Sequence, residues 1–326
     1  MILFSILWND ILPLFVFIGA GWFLDSKFKI QISTYSKLTI WVVLPCFIFY
    51  TLYRYDGSGA DVLLIPAALL LMVMQYGMAA FLGKGLGLSS EEAHGFRAVS
   101  TFSNSGHIGA ALMILIYTHP PFGSGESSLY LAEAMGAMAV LMIVMNIGVN
   151  VFGAALIRSR EARMSEFTGY LLKMPALYAA ILAMACRMSG LSLESTFLWP
   201  VLQHFNGAFI VLITVTIGLE LHRSRLKRPD IPILAAGAAK LLMAPFLAFC
   251  MITAGNRMGL EIRPVMAQVF FLYAAIPSSM ALIIYSVEYK NHPDRITQSV
   301  LFNTVCGAFT VTIAIYLSRM LFPVGV

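Results

Sequence analysis

The sequence predicts an all-α integral membrane protein of ten membrane-spanning helices, built as two inverted five-helix repeats whose fourth and ninth helices are interrupted. Three observations carry that expectation. Of 326 residues, 59% are hydrophobic and 11% charged, with a mean hydropathy of +0.82, whereas a soluble domain carries about 25% charged residues to stay solvated. Ten apolar runs recur at membrane length. The fourth and ninth of them share a polar or Gly/Pro-rich middle at matching depth.

Crossing about 30 Å of hydrocarbon takes roughly 20 apolar residues in a helix. The first run, Leu3 to Leu24, lacks the basic leader and small-residue cleavage site of a signal peptide and reads as a retained span. The second, Thr34 to Tyr53, contains Pro45, whose default reading is a simple packing kink, the alternative being a kink that opens space beside Cys46 and Phe47. The third covers Val62 to Leu82, the fourth Phe96 to Thr118 and the fifth Leu129 to Ile157. The second half runs Thr168 to Ser189, Phe197 to Leu221, Ile231 to Ala254, Pro264 to Val287 and Arg295 to Leu321. The repeats therefore divide as residues 1–163 and 164–326.

The net charge of +5 is scattered in short clusters between apolar runs, which excludes the concentrated basic patch of a nucleic-acid binder. These clusters instead set orientation, because loops rich in Lys and Arg stay cytoplasmic. One set of alternate connections holds Lys27, Lys29, Lys37, Lys84, Arg97, Arg158, Arg160, Arg163, Lys173, Arg223, Arg225, Lys227, Arg228, Lys290 and Arg295. The other holds only Arg54, Arg187, Arg257, Arg263 and Arg319. The bias places both termini on the non-cytoplasmic side, in the inner (plasma) membrane of a bacterium. Cys46, Cys186, Cys250 and Cys306 fall singly inside apolar stretches, a pattern of packing and not of a disulfide framework or metal centre. The methionines read as gap-fillers between helices.

The repeat is visible when Thr101 to Tyr117 is set beside Phe270 to Tyr285. Each stretch is interrupted at mid-depth and then recovers an apolar run ending in Ile-Tyr. Five spans separate the copies, and an odd number inverts the second. Interrupted helices at corresponding positions of inverted repeats point to a secondary transporter. A break at mid-membrane frees backbone groups, and each costs several kcal/mol unless protein, water or ligand satisfies it. In Asn104-Ser105-Gly106-His107-Ile108-Gly109 the glycines permit unwinding, while Asn104, Ser105 and His107 supply donors and acceptors. In the ninth span Pro277 removes a donor and is followed by Ser278 and Ser279. Two half-helix N-termini facing each other would favour an anion.

Lys240 lies about ten residues into the eighth span, where an ammonium costs about 2.5 to 3.5 kcal/mol. A carboxylate cargo would offset that cost, as would proton exchange or carbonyls of the broken helix. No acid stands at clear mid-depth, since Glu133 and Glu220 sit near span ends. Asn146 and Asn303, in the fifth and tenth spans, are amides suited to bonding the broken helices, a ligand or a neighbouring helix. His107 titrates near neutrality and also lines the candidate site.

The same residues resemble the auxin efflux carrier family, which includes plant auxin carriers and bacterial malonate and other organic-acid carriers. The likeness runs nearly end to end. Its most specific pieces are Leu38 to Phe49 and Ser103 to Gly109, joined by Lys173 to Ala176, Thr216 to Leu221, Lys240 to Pro245 and Ile276 to Ser278. The resemblance implies that the fourth and ninth helices cross, that a bundle carrying the crossing moves in an elevator-like manner against a scaffold, and that the protein is a homodimer. It maps the crossing to Asn104 to Gly109 and Pro277. Two positions depart from the family pattern: Ala111 stands where Pro is usual, and His107 where an apolar or aromatic residue is usual.

The resulting expectation is a secondary carrier of small organic anions, carboxylates of malonate type, that uses no cofactor and is coupled to H⁺, to Na⁺ or to neither. Its site would be built from Asn104, Ser105, Gly106, His107, Gly109, Asn146, Lys240, Pro277, Ser278 and Ser279. A Na⁺-coupled symporter related to bile-acid carriers and a membrane sensor that binds without transporting are the rival readings. No HExxH motif or intramembrane carboxylate pair points to an enzyme.

Overall fold

A computed structural model describes residues 8, 11–55, 62–122, 129–158, 168–169, 172–223 and 228–324. The expected start of the first span, the boundary between the repeats at 163/164, and Arg160, Arg163, Arg225 and Lys227 lie outside the described residues. The described residues form helices in nearly every apolar run. In chain order they are α1 (Leu12–Phe28), α2 (32–54), α3 (Leu64–Gly85), α4 (Ser90–Thr101), α5 (Ser105–Thr118), α6 (Tyr130–Ile157), α7 (Pro175–Met188), α8 (Leu198–Arg223), α9 (Ile231–Arg257), α10 (Pro264–Ala275), α11 (Ala281–Glu288) and α12 (Pro293–Leu321). Among the described residues, α3, α6, α8, α9 and α12 are long and apolar enough to cross a membrane. The other expected spans fall on shorter helices for local reasons. The fourth and ninth are split into α4–α5 and α10–α11. The sixth starts at Pro175, seven residues later than expected, because proline suits a helix's first turn.

The fourth span also begins earlier than its apolar run. At the N-terminus of α4, Ser89 caps the Glu92 amide while the Glu92 carboxylate accepts from the Ser89 backbone at 3.2 Å and hydroxyl at 2.9 Å. This reciprocal cap satisfies donors that would otherwise be orphaned. Arg295 at the start of α12 then binds both Glu92 and Asp230, the N-cap of α9, so three helix N-termini are pinned together at one end.

Prolines inside two helices are accommodated without breaks. Ahead of Pro45 and of Pro245 the backbone takes one wide turn, over Thr39–Val43 and Ala239–Met243, before resuming as an α-helix. Such a turn shifts the hydrogen-bond ladder by one residue next to the proline ring, which cannot donate. At Phe47 the packing reading holds, with no opening beside it. Phe47 is fully buried and stacks on Phe209 with ring centroids 4.0 Å apart.

Small residues bring the outermost pair together. A Cβ on Gly21 of α1 would strike the Val215 backbone of α8, and one on Gly218 would strike the Ile18 and Trp22 backbone. Close backbone approach of this kind drives helix association where lipid supplies no hydrophobic force. At one end of this pair Asp25, 3% exposed, accepts from His222 at 2.9 Å and from Arg223 at 2.5 and 2.9 Å. The interrupted helices lie innermost. Every residue of α10 from Val265 to Ala275 is buried, whereas α1, α3, α7, α9 and α12 present large exposed apolar side chains. In a bilayer those faces meet lipid, as the composition demands.

Candidate functional site

The two interruptions lie against each other. Helix α4 ends at Thr101, Phe102 turns extended (φ −93°, ψ 124°), and α5 starts at Ser105. Helix α10 ends at Ala275, Ile276 is extended (φ −63°, ψ 135°), and α11 starts at Ala281. The extended segments pair as one antiparallel rung, Ser103 opposite Ser278. The Asn104 amide donates to the Pro277 carbonyl at 2.8 Å, and the Ser279 amide donates to Phe102 at 2.9 Å. Each break thus satisfies backbone groups that the other frees, which is how non-helical chain is tolerated at membrane depth.

The position of the first break corrects the sequence reading. The chain leaves the helix at Phe102 to Asn104, and Ser105–Gly109 forms the wide first turn of α5. Gly106 and Gly109 keep negative φ, so their conformational freedom is not used. Gly109 matters by size: a Cβ there would strike Met138 of α6 and Ile276 of the other break. Gly307 of α12 does the same for the Pro277 ring. Gly106 faces open space. Ala111, at the departure from the family pattern, is fully buried in an uninterrupted stretch of α5.

Side chains extend the pairing into a buried network. The Ser278 hydroxyl donates to the Val99 carbonyl of α4 at 2.6 Å and accepts from Asn303 Nδ2 at 2.8 Å. Ser278, Asn303 and Lys240 are fully buried. Lys240 Nζ donates to the Ala274 carbonyl at 3.2 Å, close to the end of α10. Met145 of α6 accepts from the Ser103 amide at 3.3 Å. His107 Nδ1 lies 3.1 Å from Asn104 Oδ1. The structure therefore brings Asn104, Ser105, His107, Gly109, Pro277, Ser278 and Ser279 to one place, with Lys240 tied to it through Ala274; Asn146 follows Met145 in α6 and makes no side-chain bond to the rung. Ser278 and Lys240 are enclosed in protein bonds.

Polar capacity is left over. Asn104 Nδ2 and Asn146 Nδ2 are buried donors with no partner, and the hydroxyls of Ser100, Thr101 and Ser103 and the Asn303 Oδ1 are likewise unmatched. Buried native groups are almost always bonded, so such a concentration marks a place built for something more. Sequence reading missed Ser100, Thr101 and Ser103, whose hydroxyls look like ordinary helix polarity. It also missed a link between the inner helices, in which Tyr117 donates to Gln268 at 2.9 Å and Gln268 donates to the Phe322 carbonyl at 2.7 Å. The available signal was an amide inside an otherwise apolar run.

A cavity of about 290 Å³ opens beside the breaks, bounded by Leu14 of α1, Ile217 of α8, Ile108 of α5, Pro277 and Thr304 of α12. Its walls are apolar apart from Thr214 and Thr304.

Comparison with known proteins finds relatives over most of the chain. An uncharacterized transporter of Methanothermobacter thermautotrophicus is 25% identical over 275 residues, covering 84% of each chain. A second, from Methanocaldococcus jannaschii, is 22% identical over 284 residues, covering 85% of this chain and 87% of its own. Residues 6–168 match the family model described as membrane transport protein. That match spans half the chain and includes the first break with its pairing residues, and the protein belongs to the membrane transport protein family, the auxin efflux carrier group that its motifs resemble.

Proposed function

We propose that this transporter is a secondary carrier of small organic anions, carboxylates of malonate type, built from ten spans in two inverted halves whose broken fourth and ninth helices cross at the substrate site. The antiparallel rung between Ser103 and Ser278 is the observation that carries the reading. It joins α4–α5 and α10–α11 at corresponding points, the feature that marks binding sites of inverted-repeat transporters. The anionic class rests on the unmatched donors Asn104 Nδ2 and Asn146 Nδ2 and on the start of α5, whose dipole favours negative charge. The adjoining cavity has room for a small carbon skeleton.

In this reading the inner helices, locked through the rung, move as one body against the α1–α8 pair, an elevator-like exchange of the site between the two faces. The protein is a homodimer of the inner (plasma) membrane, with both termini non-cytoplasmic. Proteoliposome flux of radiolabelled malonate, related dicarboxylates and indole acetate, with Na⁺ and pH gradients imposed separately, tests the assignment. Saturable flux of at least one carboxylate is the expected result. Absence of flux for all of them, with specific binding retained, would favour a sensor instead.

A further inference from the structure

Lys240 has a place in this molecule that a cargo counter-charge does not account for. Its ammonium is wholly enclosed, on the wide turn Ala239–Met243 of α9, and points at the end of α10. There it binds the Ala274 carbonyl. In a continuous helix that carbonyl would accept from the amide four residues on, that of Ser278. The chain has left the helix by Ile276, and Lys240 takes the carbonyl instead. The C-terminal end of a helix carries roughly half a negative charge, which favours a cation.

A second oxygen on the same face has no partner. A Cβ on Gly237, one turn before Lys240 on α9, would lie 3.1 Å from Asn303 Oδ1. That oxygen is buried and unmatched, while the same amide's nitrogen is held by Ser278. The residues i and i+3 of a helix share a face, so the Asn303 oxygen and the Lys240 ammonium lie along one side of α9. Among the described residues no carboxylate stands within ion-pair distance of Lys240. The oxygens found on this side are the carbonyl at a helix C-terminus and an amide oxygen, neither of them a carboxylate, and carbonyls and half-helix C-terminal ends of this kind coordinate Na⁺ in transporters with discontinuous helices.

We infer that Lys240 is a built-in cation: its ammonium occupies the position at the end of α10 where a coupling alkali-metal ion would sit, so the carrier assembles its broken helix and moves its cargo without Na⁺. This deepens the carrier reading and rests on it only for the statement about cargo. Removing the side chain while leaving the oxygens in place would turn the position into a site for a small cation. Lys240→Ala does so, whereas Lys240→Met fills the same space without charge.

Thermal unfolding of the purified full-length protein provides a readout that involves no cargo, with NaCl, methylammonium chloride and choline chloride compared at equal ionic strength. The wild type is expected to unfold at one temperature in all three salts. Lys240→Ala is expected to unfold earlier in choline and to recover at least half of that loss in Na⁺ or methylammonium. Lys240→Met is expected to stay destabilised in every salt. Flux of wild-type protein with Na⁺ replaced by choline is expected to be unchanged. Stabilisation of the wild type by Na⁺, Na⁺-dependent wild-type flux, or a Lys240→Met variant as stable as wild type would each overturn the inference, as would an alanine variant that no cation restores. If the alanine variant cannot be purified, the wild-type and methionine results decide alone. Cation rescue without flux of any carboxylate would overturn the carrier reading and leave this one standing.

Discussion

Ser278 carries more of the site than its small side chain implies, because one hydroxyl joins α4, α12 and the second break. Ser278→Ala strands the Val99 carbonyl and the Asn303 amide, and each unsatisfied buried group costs about 1–3 kcal/mol. The expected outcome is a lowered unfolding temperature and reduced flux, measured by scanning fluorimetry and proteoliposome uptake. Unchanged values for both would show that the network is dispensable. Asn104 and Asn146 are predicted to act mainly on cargo, since their side-chain Nδ2 donors bond nothing in the protein, although Asn104 Oδ1 also holds His107. Hydrogen bonds to a charged group contribute about 1.5–3 kcal/mol. Asn104→Leu is therefore expected to raise the KM for the transported carboxylate roughly tenfold or more, with a loss of stability no larger than that of the single His107 bond, about 0.5–1.5 kcal/mol. These residues were legible in the sequence as polar groups at mid-membrane depth. Their division into bonded and unmatched atoms was not, because it depends on neighbours on other helices, as Val99, 179 residues from Ser278, and Asn303, 25 residues from it, show.

At the scale of elements, close packing and end-pinning make separate predictions. Gly307→Val drives a side chain into the Pro277 ring and should lower the unfolding temperature, whereas Gly106→Ala, facing open space, should leave it nearly unchanged. A similar drop for both variants would contradict the packing described for α12. The cap of α4 predicts a pH dependence. The Ser89 side chain and backbone, followed by the Arg295 guanidinium, hold the Glu92 carboxyl below its ordinary value of 4.5. A carboxyl lowered in the folded state stabilises fully above the ordinary value, and that contribution is lost as pH falls below it. Unfolding temperature is thus expected to decline below about pH 4.5, and Glu92→Gln should flatten the decline. A wild-type profile that the substitution leaves unaltered would remove Glu92 from the account. The capping pattern Ser89-x-x-Glu92 was readable from the sequence, but the apolar run hid it by starting at Phe96. The two interruptions were visible as well, from Pro277 and from the Gly- and Asn-rich stretch after Phe102. The first was placed two residues late, since the glycines turned out to serve close packing and the extended turn fell on Phe102 to Asn104.

For the whole molecule, the expected inverted topology sets both termini outside the cytoplasm. Protease added to the non-cytoplasmic face of intact cells or spheroplasts should remove tags at either end, and protection of one tag but not the other would break the even span count. The α1–α8 pair is sealed by Gly21 and Gly218 and by Asp25 with Arg223, and the proposed elevator-like exchange makes it the static partner of the inner helices. A cross-link between α1 and α8 should leave flux intact, while one between α1 and α12 across the cavity should abolish it. Arrest by both would argue against separate moving bodies.

Composition and spacing determined by themselves that the chain is an all-helical integral membrane protein and that two of its apolar runs, around Asn104 and around Pro277, are interrupted. These follow from the cost of exposing polar backbone to lipid, which acts on each run alone and is therefore written locally. Tertiary structure decided how the interruptions repair each other and which carbonyl Lys240 binds. Pairing Ser103 with Ser278, and Lys240 with Ala274, depends on bringing segments from distant parts of the chain within 3 Å or so. A hydrogen bond is lost over a displacement of about 1 Å, a precision that no local pattern in the sequence encodes.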